Sequence, residues 1–111
     1  MANDKIVNDK ICGLSVEEIE NLKAKHGCLI LATVKQADQK YHAIFKEPNF
    51  VTLESARTIG QTDEIKAAKT LYNNCIIVAD LAIENRDYLR LKAVESVGKH
   101  MQSFSVDVKN L

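Results

Sequence analysis

The residues of this chain best suited to proton transfer, nucleophilic attack or metal ligation are His26, His42, His100, Cys12, Cys28 and Cys75. His26 and Cys28 flank the start of a strand-like run and His42 lies on the run that follows, so a His/Cys/His metal cluster is the first chemistry to weigh. Register counts against it. In a hairpin His42 falls opposite the stretch from Ala32 to Gln36, away from the Cys28 end. The cysteines stand 16 and 47 residues apart, with no C-x-x-C pair and none of the short paired spacings of a zinc framework. Each has an apolar neighbour (Ile11, Leu29, Ile76) and reads as a small hydrophobe. A thiol nucleophile would also need a base, an orienting group and an oxyanion pocket, and no motif places these together. Glu17 and Glu18 are adjacent and point in different helix directions, so they cannot share a substrate. The four glycines, Gly13, Gly27, Gly60 and Gly98, are isolated and build no phosphate loop. His26 suits a helix C-terminus, while His42 and His100 read as surface residues. The expectation is a non-enzymatic chain with no catalytic residue, no metal ligand and no cofactor.

Composition narrows the class further. A chain of 111 residues makes one domain, with an expected radius of gyration of roughly 13 Å and enough length for one core. Fifteen Lys and Arg against fifteen Asp and Glu give zero formal charge, hence no bulk attraction to nucleic acid or anionic lipid. Tyr41 and Phe45 share one strand face and resemble a base-stacking pair, but basic and acidic residues alternate around Lys66, Lys69 and Glu64. Nucleic acid is therefore the weaker reading. No apolar run exceeds five residues, the length of Cys75–Ala79, against the roughly 20 that span a bilayer. Met1–Lys5 lacks the basic-then-apolar layout of a signal peptide. Together with the odd, unpaired cysteines, these features point to a cytoplasmic protein without a membrane partner.

The elements that must position any site follow from patterning. Residues 1–13 are expected to be a flexible segment and residues 14–111 a single α+β domain. Ser15 and Glu18 form a capping-box pair, Val16, Ile19 and Leu22 recur at helical spacing, and Gly27 supplies a left-handed stop after His26. From Cys28 to Gln36 strand formers dominate, Ala37–Lys40 reads as a four-residue turn, and Tyr41–Lys46 alternates. An antiparallel β-hairpin results, and a lone hairpin needs a cover for one face. Pro48 breaks the second strand. Thr52 and Thr62 are expected to cap two helices, over Leu53–Ile59 and from Asp63 to about Asn73–Asn74. Cys75–Asp80 fits strand or helix equally at that length. A final long helix starts at Asn85 or Asp87, with Leu89, Val94, Val97, Met101 and Phe104 along one face and a costly Gly98 inside it. The tail from Ser105 to Leu111 fits a helix extension or a short strand. The fold expected is α+β: an N-terminal helix, a hairpin, then three or so helices.

The run Tyr41–Asn49 with Thr52 and Ala56, followed by Leu71-Tyr72-Asn73-Asn74-Cys75 and Asp80, resembles the ordered signatures of small tail-assembly chaperone-like proteins of bacteriophages and prophages. The resemblance spans about Ser15 to Phe104, although the chain has few aromatics and no heptad stripe. It implies a non-enzymatic role in the host bacterial cytoplasm: binding a tail component such as the tape-measure or tail-tube protein, and self-association. The alternative is a cytoplasmic protein-binding or scaffold domain of another pathway. On either reading the candidate contact residues are Leu29, Leu31, Ile44, Phe45, Pro48 and Phe50, whose apolar surface exceeds what a lone hairpin can bury.

Overall fold

The structure is a computed structural model and describes residues 11–111. Its elements are α1 (Val16–His26), β1 (Leu29–Gln36), β2 (Gln39–Lys46), α2 (Phe50–Gly60), α3 (Glu64–Cys75), β3 (Ile76–Ala79), α4 (Leu81–Asn85) and α5 (Asp87–Gln102). This is the α+β order read from the sequence, with a third strand and the short α4 added. Of the segment expected to be flexible, residues 1–10 lie outside the described residues. Ile11–Leu14 closes a tight turn through Leu14 N–H to Ile11 O at 2.9 Å.

α1 forms where the sequence places it. The Glu18 amide donates to Ser15 Oγ at 3.2 Å, and the Ser15 amide donates to Glu18 Oε1 at 3.0 Å. These reciprocal bonds satisfy amides that the first helical turn leaves free. Gly27, at φ 81°, ends the helix and returns its amide to Lys23 O at 2.8 Å. Few residues but glycine take that backbone angle without strain.

The three strands form one antiparallel sheet in the order β1-β2-β3. Leu29 pairs with Lys46 and Gln36 with Gln39, so the turn holds two residues, Ala37 and Asp38, rather than four. The second strand starts two residues further into the polar stretch than hydrophobicity marks, and the tight turn puts Ala37 at φ 52°. Cys75–Asp80 resolves as the last helical residue, a four-residue strand and a connecting Asp. The β-branched residues Ile76, Ile77 and Val78 favour extension, and the free edge of β2 offers them a ladder. Along β3 the pairs are Ala43–Ala79, Ile44–Val78 and Phe45–Ile76, leaving Ile77 as an extra residue. That bulge lets Ile76 and Ala79, an odd number of residues apart, both turn to the core.

Two helix starts differ from expectation. α2 is capped by Asn49, whose Oδ1 accepts from the Thr52 amide at 2.9 Å, and α3 by Asp63, whose Oδ1 accepts from the Lys66 amide at 2.9 Å. Asn and Asp reach the third amide better than Thr does. Thr52 is instead buried on α2, and Thr62 donates its hydroxyl to Ile59 O at 3.3 Å.

The core lies on one face of the sheet. Ile30, Ala32, Val34, Ala43 and Phe45 meet Tyr72 and Cys75 of α3, Ile83 of α4, and Leu89, Ala93, Val94 and Val97 of α5. The Phe45 and Tyr72 rings meet edge to face with centroids 5.6 Å apart. Around this core the molecule extends to 53 × 41 × 26 Å, with a radius of gyration of 16.0 Å, well above the value expected for its length. The excess comes from its periphery. α1 buries no residue, α2 buries Thr52 and Ala56, and the tail beyond Gln102 is exposed throughout without regular structure. Among the described residues no helix is long and apolar enough to cross a membrane.

Gly98 sits in the middle of α5 with open space where a β-carbon would stand. Gly98→Ala is expected to stabilise the fold by about 1 kcal/mol, read as a melting temperature higher by roughly 4 °C. Ala37→Gly should also stabilise, by up to about 1 kcal/mol, because it relieves a left-handed alanine. A lower melting temperature in Gly98→Ala would mean that α5 needs glycine at that position, and one in Ala37→Gly would mean that the turn carries no strain.

Candidate functional site

The six residues singled out on the hairpin divide by burial. Ile44 and Phe45 are 3% and 0% exposed, whereas Leu31 and Phe50 are 49% and 90% exposed; Leu29 and Pro48 are half-buried. Phe45 is a central core residue whose truncation costs about 3–5 kcal/mol, so it serves folding before any contact. Ile44 points to the opposite sheet face. Pro48 lies in the link between β2 and α2, and Phe50, the first residue of α2, faces solvent.

A polar constellation gathers at the open end of the hairpin. Cys28 immediately precedes the Leu29–Lys46 pair and Glu47 immediately follows it, so strand register sets them side by side. His100 comes from the last turn of α5, one turn beyond the buried Val97. Its Nε2 and Glu47 Oε2 share a hydrogen bond at 2.6 Å, and the His100 and Phe104 rings meet edge to face with centroids 5.2 Å apart. Cys28 Sγ, a Glu47 carboxylate oxygen and a His100 ring nitrogen all lie within 4.8 Å of one another. The sequence reading leaves His100 on the surface and weighs Cys28 against His26 and His42. The structure instead joins Cys28 to Glu47 and His100. No spacing could have revealed this, since 53 residues separate Glu47 from His100 and only the packing of α5 on the sheet closes the gap.

His42 belongs to a second cluster. Its amide donates to Asp80 Oδ2 at 2.6 Å and its carbonyl accepts from the Asp80 amide at 2.9 Å, extending the β2–β3 ladder by one residue. The imidazole Nδ1 stands 3.8 Å from the same carboxylate oxygen. Cys12 Sγ donates to His42 O at 3.2 Å, which ties the Ile11–Leu14 turn to the sheet. Burial, reinforced by the Asp80 charge, pushes the Cys12 thiol from its ordinary 9.0 up to about 11. Burial likewise raises Cys75 and Tyr72, the latter opposed by the Arg90 charge. Of the three cysteines read as small hydrophobes, Cys75 is buried in the core, Cys12 is half-buried and Cys28 is exposed, because the end of α1 and the start of β1 leave it in solvent.

A cleft of about 480 Å³ opens between α3 and α5, lined by Ile65, Ala68, Tyr72, Tyr88, Leu91 and Val94. Ile65 and Tyr88 are largely exposed, and Lys69, Asn73 and the paired Asp87 and Arg90 also border the cleft. Its floor is apolar and its rim polar. Comparison with models of protein families, with characterised proteins and with solved structures finds no match to this chain.

Two outcomes follow for the thiols. Near neutral pH a thiol-alkylating reagent should modify Cys28 first, with Cys12 and Cys75 protected until unfolding; mass spectrometry of the labelled peptides reads the order. In the unfolded chain Cys12 loses its proton near pH 9, but in the fold it keeps the proton until about pH 11. The folded state thus binds more protons in that window, and stability falls as pH rises through it. Denaturant melts at stepped pH should show a shallower decline in Cys12→Ala, and an unchanged slope would remove the assignment.

Proposed function

We propose that this chain is a non-enzymatic protein-binding component, taking a helical segment of a partner into the cleft between α3 and α5. One observation carries the reading: the cleft is apolar, yet Ile65 and Tyr88 are left largely uncovered beside it. Leaving large apolar side chains in water forfeits burial energy of roughly 1.5–3 kcal/mol each, which a docked helix would recover. Zero net charge agrees with capture by shape and burial rather than long-range attraction.

The tail-assembly resemblance supplies the partner class. On it, the client is a phage tail component such as the tape-measure protein, held soluble in the bacterial cytoplasm. Self-association would use the outlying apolar surface, including Phe50 and Val51 on α2 and the alternating Phe104, Val106 and Val108 of the tail.

Co-expression with tape-measure segments, followed by size-exclusion chromatography with light scattering, tests this directly. Wild type should co-elute with an amphipathic helical segment, and Ile65→Glu or Tyr88→Glu should weaken capture at least about tenfold while melting like wild type. Equal capture by both variants would remove the cleft from the account. A strictly monomeric protein that holds no tail component would remove the tail-assembly reading.

A further inference from the structure

We propose that Cys28, Glu47 and His100 form a binding site for a zinc-class divalent ion, with three protein ligands and a fourth position open. The donor set comes first. A thiolate sulfur, an imidazole nitrogen and a carboxylate oxygen are the three ligand types zinc accepts, and soft sulfur with nitrogen selects against magnesium and calcium. Ionised Cys28 and Glu47 would supply two negative charges against the charge of the ion, leaving the site neutral.

Geometry agrees. Tetrahedral zinc with bonds of about 2.0–2.3 Å holds its ligand atoms roughly 3.3–3.7 Å apart. The three donor atoms lie within 4.8 Å of one another, and His100 Nε2 and Glu47 Oε2 are 2.6 Å apart through a shared hydrogen bond. Seating the ion requires side-chain shifts of about 1 Å, at positions where Cys28 and Glu47 are exposed and free to adjust. As it enters, the Cys28 thiol gives up its proton to solvent, and neutral His100 carries its one ring proton on the nitrogen that does not ligate; one proton is released, so binding strengthens with rising pH.

The support is rigid where it must be. Hairpin register fixes the backbones of Cys28 and Glu47, and the stripe Ala93, Val97, His100 brings the imidazole onto the sheet side of α5, its ring backed by Phe104. An ion would therefore tie the last turn of α5 to the open end of the hairpin, beyond the packing that already joins them. The open position is available to water or to one donor from a bound protein.

Tag-free chain, reduced and stripped with a chelator, is titrated with Zn²⁺ by calorimetry and with Co²⁺ by absorption. Expected are one equivalent bound, a thiolate-to-cobalt charge-transfer band, and affinity lowered at least about tenfold in Cys28→Ser, His100→Gln and Glu47→Gln. Cys12→Ser and His42→Gln should bind as wild type does. A second readout uses wild type alone: Zn²⁺ should slow alkylation of Cys28, and Mg²⁺ should not. The proposal is overturned by non-saturable binding, by affinity retained in Cys28→Ser and His100→Gln, or by equal Cys28 alkylation rates with and without Zn²⁺.

Discussion

With Leu29 opposite Lys46 and Gln36 opposite Gln39, the hairpin turns Ile30, Ala32, Val34, Ala43 and Phe45 to one face and leaves Lys35 and Lys40 on the other. A slip of one residue would reverse every side chain and send this apolar set into water. The same register sets Cys28 beside Glu47, and it leaves the far edge of β2 free to receive β3. The core, the third strand and the polar cluster thus depend on one pairing. Its weak point is the turn, where Ala37 tolerates a left-handed backbone to keep the register. Compensation comes from both sides of β2: α5 packs over the hairpin, and Asp80 bonds His42 beyond the end of β3.

What could be read from the sequence was what is decided locally. The Ser15–Glu18 box, Gly27 and the strand formers after Cys28 each act within a few residues, and α1 and β1 appear where they point. Caps chosen among neighbours were harder. Thr52 and Thr62 lose to Asn49 and Asp63 by the reach and acceptor strength of the competing side chain. Cys75–Ala79 was ambiguous because a four-residue strand carries too few residues to display a period, and its state is decided by the vacant edge of β2.

The site was less legible for the same reason carried further. Strong alternation identifies Ile44 and Phe45 as apolar strand residues, but alternation cannot say whether another element of the chain covers them. In this fold both are covered, and large apolar side chains are left exposed elsewhere, at Ile65, Tyr88 and Phe50. His100 shows the converse. Spaced from Val97 and Ala93 along the buried stripe of α5, it was bound to face the sheet, but its meeting with Glu47 and Cys28 needed the crossing of α5 over the hairpin end.

On the proposed docking of a helix, the periphery becomes part of the account. An isolated helix of α2's length, eleven residues, is marginal in water and owes its order to what it packs against. For α2 that is chiefly α3, through a face that buries Thr52 and Ala56, while Phe50 and Val51 face away. α2 thus owes its place to α3, and its outer residues Phe50 and Val51 stay in solvent. α3 joins α2 to the interior, because one of its faces holds α2, another borders the cleft at Ile65 and Ala68, and its last turn places Tyr72 and Cys75 in the core. Burial of Ile65 and Tyr88 by a bound helix would therefore brace α3 against α5. Ordering would reach both the core and α2, without any change in the hairpin register on which the fold rests.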